Sequence, residues 1–458
     1  MQNKTRVNTK HVWGERMWKK TKTIAAAVTV GSALLAGCGA QGEKPQGAGA
    51  DAPKVQEKQE PVTLKFYTMT VLDDFEKYIN QFVKKKFPHV TLQVVENKKG
   101  SEIQDLIATN DIPDIIWQGL TNMGGALADY DVSMDLTAIA KKQGFDFNSK
   151  YDAKMVDSIR SYSPKGELLY MPYNVLVFAL HYNKDIFDKF GVAYPKDNMT
   201  WEEVTELGKR ISRKDGDTQY IGLLPPTGLN RVQSQLSLSY VDPTGQKAAF
   251  ATEGWKRMFD VMKSINDYPN APQIKSFGDV RNNFLTNRTV AMMPEILQLQ
   301  NYDMAAAEKA GLRWDIVTFP SFKDKPGVGV GVFSDGFVIP KGSKHPDVAF
   351  QVMAYLSTDP DVQMEATKNG RITALKDNAK MLEHAFENNP AAKGKNLKAV
   401  FTQKYPDPIL SSPYNATGLS TISSKMLDYV NGKSDVNTLL KQADEDFNKK
   451  IAELKAKK

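Results

Sequence analysis

Cysteine is almost absent from this chain: Cys38 is the only one in 458 residues. No disulfide can close within the chain, so the fold must be held by core packing alone. Histidine is scarce as well. His11, His89, His181, His345 and His384 are scattered, with no His-x-His or His-Glu-x-x-His pair, so a zinc site has no visible ligands. The Gly-x-Ser-x-Gly elbow of the α/β-hydrolases is missing. Gly432-Lys433-Ser434 has the end of a phosphate loop, but the required earlier glycine falls at Leu427, and the stretch reads as a turn before the last helix. Gly327-Val328-Gly329-Val330-Gly331 has part of a dinucleotide fingerprint. Val332 follows it, and residues 333–339 read as loop and strand rather than helix. No cofactor and no metal are therefore expected. No apolar run reaches the about 20 residues that cross a bilayer as a helix. Carboxylates are plentiful, so a glycosidase pair remains open.

What is present is concentrated near the amino terminus. Lys19, Lys20 and Lys22 precede an apolar segment, residues 24–35, rich in alanine and valine. Charge, then apolar core, then small residues is the order of a secretory signal. Leu35-Ala36-Gly37-Cys38 resembles the lipobox of bacterial lipoproteins at every position. That resemblance implies cleavage before Cys38 and lipid on its sulfur and new amino group; the alternative is a buried structural cysteine. The formal charge of +7 then changes meaning, because residues 1–37 carry a net +6 and leave about +1 on the mature chain. A basic pI would invite a nucleic-acid reading, but the basicity lies in the part removed, so no nucleic-acid partner is expected. Met17 gives a signal of more ordinary length than Met1, and residues 1–16 are read as a misplaced start.

Residues 39–60 are Gly, Ala, Gln, Glu, Lys and Pro with one Asp, Asp51, and Val55 the only large apolar side chain, and read as a disordered tether. Such a coil of 22 residues has a mean reach of roughly 25 Å. From residue 61 onward strands and helices alternate. Residues 62–67 and 90–95 have strand patterns, and residues 114–117 read as a buried third strand. Phe75, Tyr78, Ile79, Phe82 and Val83 recur at helical spacing, with Asp73 and Asp74 as candidate caps, Lys84, Lys85 and Lys86 in the last turn and Pro88 as the stop. Thr200-Trp201-Glu202-Glu203 is a capping box. Residues 289–293 and 315–319 read as strands, and Pro346 suits the first turn of a helix at 345–356. A long amphipathic helix closes the chain, with Ser434 as its cap and Val436, Leu439, Leu440, Ala443, Phe447, Ile451 and Leu454 on its core face. The order strand, helix, strand, helix, strand predicts a parallel α/β sheet. Nearly 400 residues after the tether exceed one ordinary core, so two lobes are expected.

Several stretches together resemble one family, the extracellular solute-binding proteins of bacterial ABC importers, in the group that includes maltose-binding protein. They are Ile112-Pro113-Asp114-Ile115-Ile116, Tyr170-Met171-Pro172-Tyr173-Asn174, His181-Tyr182-Asn183-Lys184-Asp185, Thr200-Trp201-Glu202, Thr289-Val290-Ala291-Met292-Met293, and Ser343-Lys344-His345-Pro346-Asp347. The matches keep their order over about residues 62 to 455. The resemblance implies an α/β, two-lobed periplasmic-binding-protein-like fold with a hinge and an inter-lobe cleft. The expected division is 1–37 signal, 38–60 lipidated cysteine and tether, 61–174 with 336–375 as N-terminal lobe, and 175–335 with 376–458 as C-terminal lobe.

Ligands of open α/β sheets sit outside the carboxyl ends of strands and in clefts between domains. Past the third strand come Gln118, Thr121 and Asn122, which are equally readable as caps of the next helix. The expected first crossing, residues 172–179, offers Tyr173 and Asn174. Tyr173 is either a sugar-stacking ring or hinge packing. Glu295 follows a strand, and Ser334 and Asp335 lie in the expected second crossing, residues 331–335. The two carboxylates either accept paired bonds from sugar hydroxyls or pair with Arg371 as structure. Gly331 and Gly336 are expected to give that crossing backbone freedom. Arg371 and Thr373 lie beside a third crossing, and Tyr414, Asn415 and Thr417 fall where the family brings a late loop over the cleft. Leu176 and Gln298 stand where an acidic ligand residue and a stacking tryptophan align, which argues against maltose.

Two functions follow. The first is a monomeric, lipid-anchored binding protein on the outer face of the membrane, handing an oligosaccharide to an ABC importer permease. The second is a surface carbohydrate-active enzyme or adhesin on the same tether, which paired carboxylates across the cleft would distinguish.

Overall fold

The computed structural model describes residues 60–456, apart from 71, 73, 74, 270, 276–280, 298 and 300–303. Cys38, the signal and nearly all of the tether lie outside the described residues, as do Asp73, Asp74 and Gln298.

Eleven strands form two sheets among the described residues. In chain order they are β1 (Val62–Thr68), β2 (Val90–Glu96), β3 (Ile115–Gly119), β4 (Met171–Val175), β5 (Phe178–Asn183), β6 (Arg213–Asp215), β7 (Thr218–Leu223), β8 (Val290–Ile296), β9 (Trp314–Thr318), β10 (Ser334–Val338) and β11 (Ile372–Thr373). The first sheet has the order β11-β4-β10-β3-β1-β2 and the second β6-β7-β8-β5-β9. The three strands expected to be parallel are so: β1 pairs in parallel with both β2 and β3. The rest of that sheet is not. β10 runs antiparallel to β3 and β4, and β11 antiparallel to β4. A chain that leaves for the other lobe and comes back re-enters from the far end, and its returning strand must point the opposite way.

Two crossings join the sheets. β4 runs into β5 through residues 176 and 177 alone, and residues 319–333 lead from β9 back to β10. Leu176 N donates to the Phe333 carbonyl oxygen at 2.9 Å, so the two crossings are bonded to each other. One apolar core packs the first sheet with Ile79, Val83, Leu106, Phe350 and Met353, and extends to Met293 and Trp314 of the second. A second core packs Trp201, Val204, Trp255, Phe259, Met426 and Phe447 on the second sheet.

The family motifs are structural pins. Asp114 accepts from Lys65 N at 2.9 Å, the Ser343 hydroxyl at 2.8 Å and Lys344 N at 3.2 Å, so two distant motifs meet at one carboxylate. Asn183 caps the helix Lys184–Phe190 by accepting from Asp185 N and Ile186 N. The box at Thr200 and Glu203 forms in both directions, and Pro346 takes the first turn of Pro346–Thr358. In the helix Val436–Ala456 the expected apolar face is buried through Ile451, with Leu454 half-buried. Its cap is Asp435, whose carboxylate accepts from Thr438 N at 3.0 Å, and not Ser434. The run beginning at Phe75 has a π-helical turn, Glu76–Asn80, before its α-helical part, Gln81–Lys86.

Candidate functional site

Parallel β1 and β3 end side by side, and a hollow opens beyond their carboxyl ends. The chain turns out of β3 through the short 3₁₀ turn Leu120–Asn122. A cavity of about 380 Å³ lies there, walled on one side by Gln118, Thr121, Asn122 and Tyr162. Asn230, Gln233, Ser234 and Tyr240, which come from the part of the chain between β7 and β8, form the other wall. Residues 331–333 of the second crossing form part of the floor, and residues 406–409 with Ser411 and Asn415 also line it. The volume falls at the lower end of the range for small-molecule sites.

Amides and hydroxyls on the walls stand among apolar side chains, Met69, Val332, Phe333, Ile409 and Leu419. The Tyr240 hydroxyl donates to Gln233 Oε1 at 2.8 Å, and its ring stacks on Trp255 with centroids 5.8 Å apart. Tyr162 lies on the first wall and Tyr240 on the second. Burial pushes both well above the ordinary tyrosine range, so both stay protonated at neutral pH. Asp407, the one carboxylate lining the cavity among the described residues, pairs with Lys154.

Of the candidates from the sequence, Gln118, Thr121, Asn122 and Asn415 line this cavity, and Tyr173, Asn174, Glu295, Ser334, Asp335, Arg371, Thr373, Tyr414 and Thr417 do not. Tyr173 is fully buried; its ring packs edge-on against Trp117 and Phe337, and its hydroxyl donates to the Tyr78 carbonyl oxygen at 3.2 Å. Asn174 is buried beside it, with its Oδ1 unpaired. Ser334 is buried and holds the Tyr170 hydroxyl through its carbonyl oxygen at 3.0 Å. Arg371 is buried with its guanidinium 4.9 Å from the centre of the Tyr78 ring. Asp335 is half-buried, and desolvation raises its carboxyl to about 6 against the pull of Arg371 and the hydrogen bond from Asn174. Glu295 pairs with Arg231, not with Arg371. Thr227 N donates to it at 3.1 Å and the Thr227 hydroxyl also bonds to it. Burial pushes the Glu295 carboxyl up, but Arg231 and the Thr227 donors outweigh this and hold it below the usual range. Tyr414 is half-buried at the start of the helix Asn415–Val430, whose first residue reaches the cavity.

Sequence reasoning missed Tyr162, Asn230, Gln233, Ser234 and Tyr240. None follows a strand of regular length: Tyr162 lies just past the helix Ala153–Arg160, and Asn230, Gln233 and Ser234 on the short helix Asn230–Gln235. Their cue was compositional, a cluster of amides and hydroxyls at 230–240.

A cavity between two sheets, at strand ends and beside paired crossings, defines a two-lobed binding protein. Residues 77–394 match the bacterial extracellular solute-binding protein family, and the chain belongs to it. Its fold is similar to that of an ABC substrate-binding protein from Listeria monocytogenes solved in complex with cycloalternan, with TM-score 0.66, 20% identity, 86% of this chain and 100% of that one covered. It is also similar to the sugar-binding protein MalE of Xanthomonas citri, with TM-score 0.65, 16% identity and 86% and 98% covered. A shorter likeness, 39% identity over 74 residues, is to the sn-glycerol-3-phosphate-binding periplasmic protein UgpB of Agrobacterium fabrum. In that match the chain spans 16% of the relative's length. Family and neighbours are binding proteins. No described helix is long and apolar enough to cross a membrane, and no three metal-ligating side chains cluster among the described residues.

Proposed function

We propose that this chain is a lipid-anchored substrate-binding protein that captures an oligosaccharide between its lobes and delivers it to the permease of an ABC importer. The observation that carries the reading is the cavity itself, which brings amides and hydroxyls from both sides, Tyr162 and Tyr240 among them, together with apolar side chains. Amides and phenols present donors and acceptors together, which matches the alternating demands of sugar hydroxyls. The neighbour solved with cycloalternan and another solved with mannotriose support that ligand class. The lipobox at Leu35-Ala36-Gly37-Cys38 supports an anchor on the outer face of the membrane, with the mature protein acting as a monomer. We take the lobes as residues 61–174 with 336–375 and 175–335 with 376–458.

The competing reading is a surface carbohydrate-active enzyme. Glycosidases place two carboxylates about 5 to 9.5 Å apart across the bond they cut. Asp407 is the single carboxylate among the described residues lining this cavity, and that favours binding over hydrolysis. The test is a thermal-shift screen of the protein against mono- and oligosaccharides, with scattering on any hit. A ligand at 100 times its dissociation constant adds about 2.7 kcal/mol. The reading expects a raised melting temperature, a smaller radius of gyration and no turnover. Hydrolysis of the glycan that binds would favour the enzyme.

A further inference from the structure

Most polar side chains on the cavity wall are already engaged with the protein. Gln233 donates to the Leu238 carbonyl oxygen at 2.7 Å while accepting from Tyr240. Gln118 Oε1 accepts from Gly119 N at 2.9 Å. The hydroxyls of Ser158, Ser161 and Ser234 turn back to main-chain carbonyl oxygens at 2.7, 2.8 and 2.8 Å. Asn415 Oδ1 accepts from Ser412 N at 3.0 Å, and its Nδ2 donates to the Ser411 hydroxyl at 2.9 Å. These groups hold the walls in shape.

Four side chains differ. The hydroxyls of Tyr162 and Thr121 have no hydrogen-bond partner among the described residues. Asn230 uses its Oδ1 for Arg231 at 2.6 Å, and its Nδ2 is unpaired. Asn122 makes one long bond, from Nδ2 to Gln118 Oε1 at 3.4 Å, and its Oδ1 is unpaired. The first, second and fourth lie on one wall and Asn230 on the other, so a molecule between them meets donors and acceptors from both sides.

No lysine or arginine lines the cavity among the described residues, and its one charge, Asp407, is negative. Arg231 lies nearby but is committed to Glu295 and stacks over Phe178 and Phe333, with ring centres 5.6 and 5.3 Å away. An anion entering here would lose its water without gaining a counter-charge.

Resting on the solute-binding reading above, we propose that Tyr162, Thr121, Asn122 and Asn230 are the side chains that hold the ligand, and that the ligand is an uncharged polyhydroxylated molecule rather than a phosphorylated one. The committed residues shape the site, and these four read it.

The experiment uses the full chain on an array of neutral malto- and manno-oligosaccharides and phosphorylated glycans, with glycerol 3-phosphate as a competitor in solution. Wild type is compared with Tyr162→Phe, which removes one oxygen and keeps the ring, and with Asn230→Ala. Neutral glycans bind wild type, each variant weakens them about ten-fold, and the melting temperature does not move. Undiminished binding of the neutral glycan by both variants overturns the assignment of these residues and leaves the solute-binding reading standing. Preference for phosphorylated glycans or glycerol 3-phosphate overturns the uncharged class. Binding of no probe at millimolar concentration overturns this inference and the oligosaccharide reading together.

Discussion

Arg231 and Glu295 form an ion pair at 3.2 Å, with 15% and 3% of their side-chain surfaces exposed, directly against both crossings of the chain. The guanidinium stacks over Phe178 from the start of β5 and Phe333 from the second crossing, whose rings also meet edge-on with centroids 5.1 Å apart. One cation therefore touches both segments that must bend if the lobes move. Removing one partner of a buried pair leaves the other charge uncompensated, at a cost of about 3–5 kcal/mol. Glu295→Ala should lose stability in that range on urea denaturation, and Glu295→Gln, which keeps the Thr227 bonds, should lose less. An unchanged midpoint in Glu295→Ala would show that the pair contributes nothing.

His181 is fully buried in β5, stacked on Trp314 with centroids 6.0 Å apart and bonded through Nδ1 to the Met293 carbonyl oxygen at 3.2 Å. Burial lowers its imidazole to about 4 from the ordinary 6.5. The unfolded chain binds the proton first. The stability His181 contributes is therefore complete above pH 6.5 and falls, by about 3 kcal/mol, as the pH drops towards 4. His181→Phe, which keeps a ring there, should flatten the pH dependence of the unfolding free energy in that window. Equal slopes for both proteins would refute the linkage.

Asp335 has the opposite sign. Its carboxyl is raised from 3.8 to about 6 by desolvation, so the folded chain holds the proton more tightly and stability declines as pH rises from 3.8 through 6. Between about pH 4 and 6 the contributions of the two residues oppose each other. Asp335→Asn removes one side of the balance. It should be more stable than wild type at pH 7 by about 2–3 kcal/mol and show a steeper acid loss than wild type. Lower stability of Asp335→Asn at pH 7 would mean that Arg371 more than offsets the desolvation.

Gly331 and Gly336 do not supply conformational freedom as the sequence suggested; neither has a positive φ. Their role is close approach. A Cβ at Gly331 would lie 2.8 Å from Ser234 Cβ, and one at Gly336 would land on the Met171 carbonyl oxygen of β4. Gly336→Ala should destabilise by about 1–3 kcal/mol through overpacking. Calorimetry of Gly336→Ala beside Gly166→Ala provides the comparison. Gly166 has open space around it and a φ of +70°, so its cost comes from the backbone conformation alone.

Cys38 is the proposed lipid attachment site. Cys38→Ala should leave unprocessed precursor or release soluble protein, read by membrane fractionation of whole cells. Membrane retention of a normally processed Cys38→Ala protein would rule out the anchor.

The motifs that made the family legible are caps and pins rather than ligand groups. Asp114, Asn183 and Thr200 each satisfy main-chain N–H groups at a strand end or helix start, and such local tasks demand particular residues at fixed spacing. Apolar periodicity gave the helix faces for the same reason: which residues of the last helix meet a core depends only on its 3.6-residue turn. The parallel start of the first sheet and the cavity residues next to β3 also followed from chain order. The cavity wall on the other side did not. Tyr162 and Tyr240 are far apart in sequence and line one cavity only because the fold brings their segments together. Whether a polar side chain is free or committed depends on partners brought from elsewhere in the chain. Glu295 looked like a ligand group by position and is held by Arg231; Asn230 had no signature and keeps an open donor. By itself the sequence determined the elements, their caps and the class of fold, because those are set by neighbours along the chain. Only the tertiary structure decided which polar groups line the cavity and which are committed elsewhere, because hydrogen-bond satisfaction is set by neighbours in space.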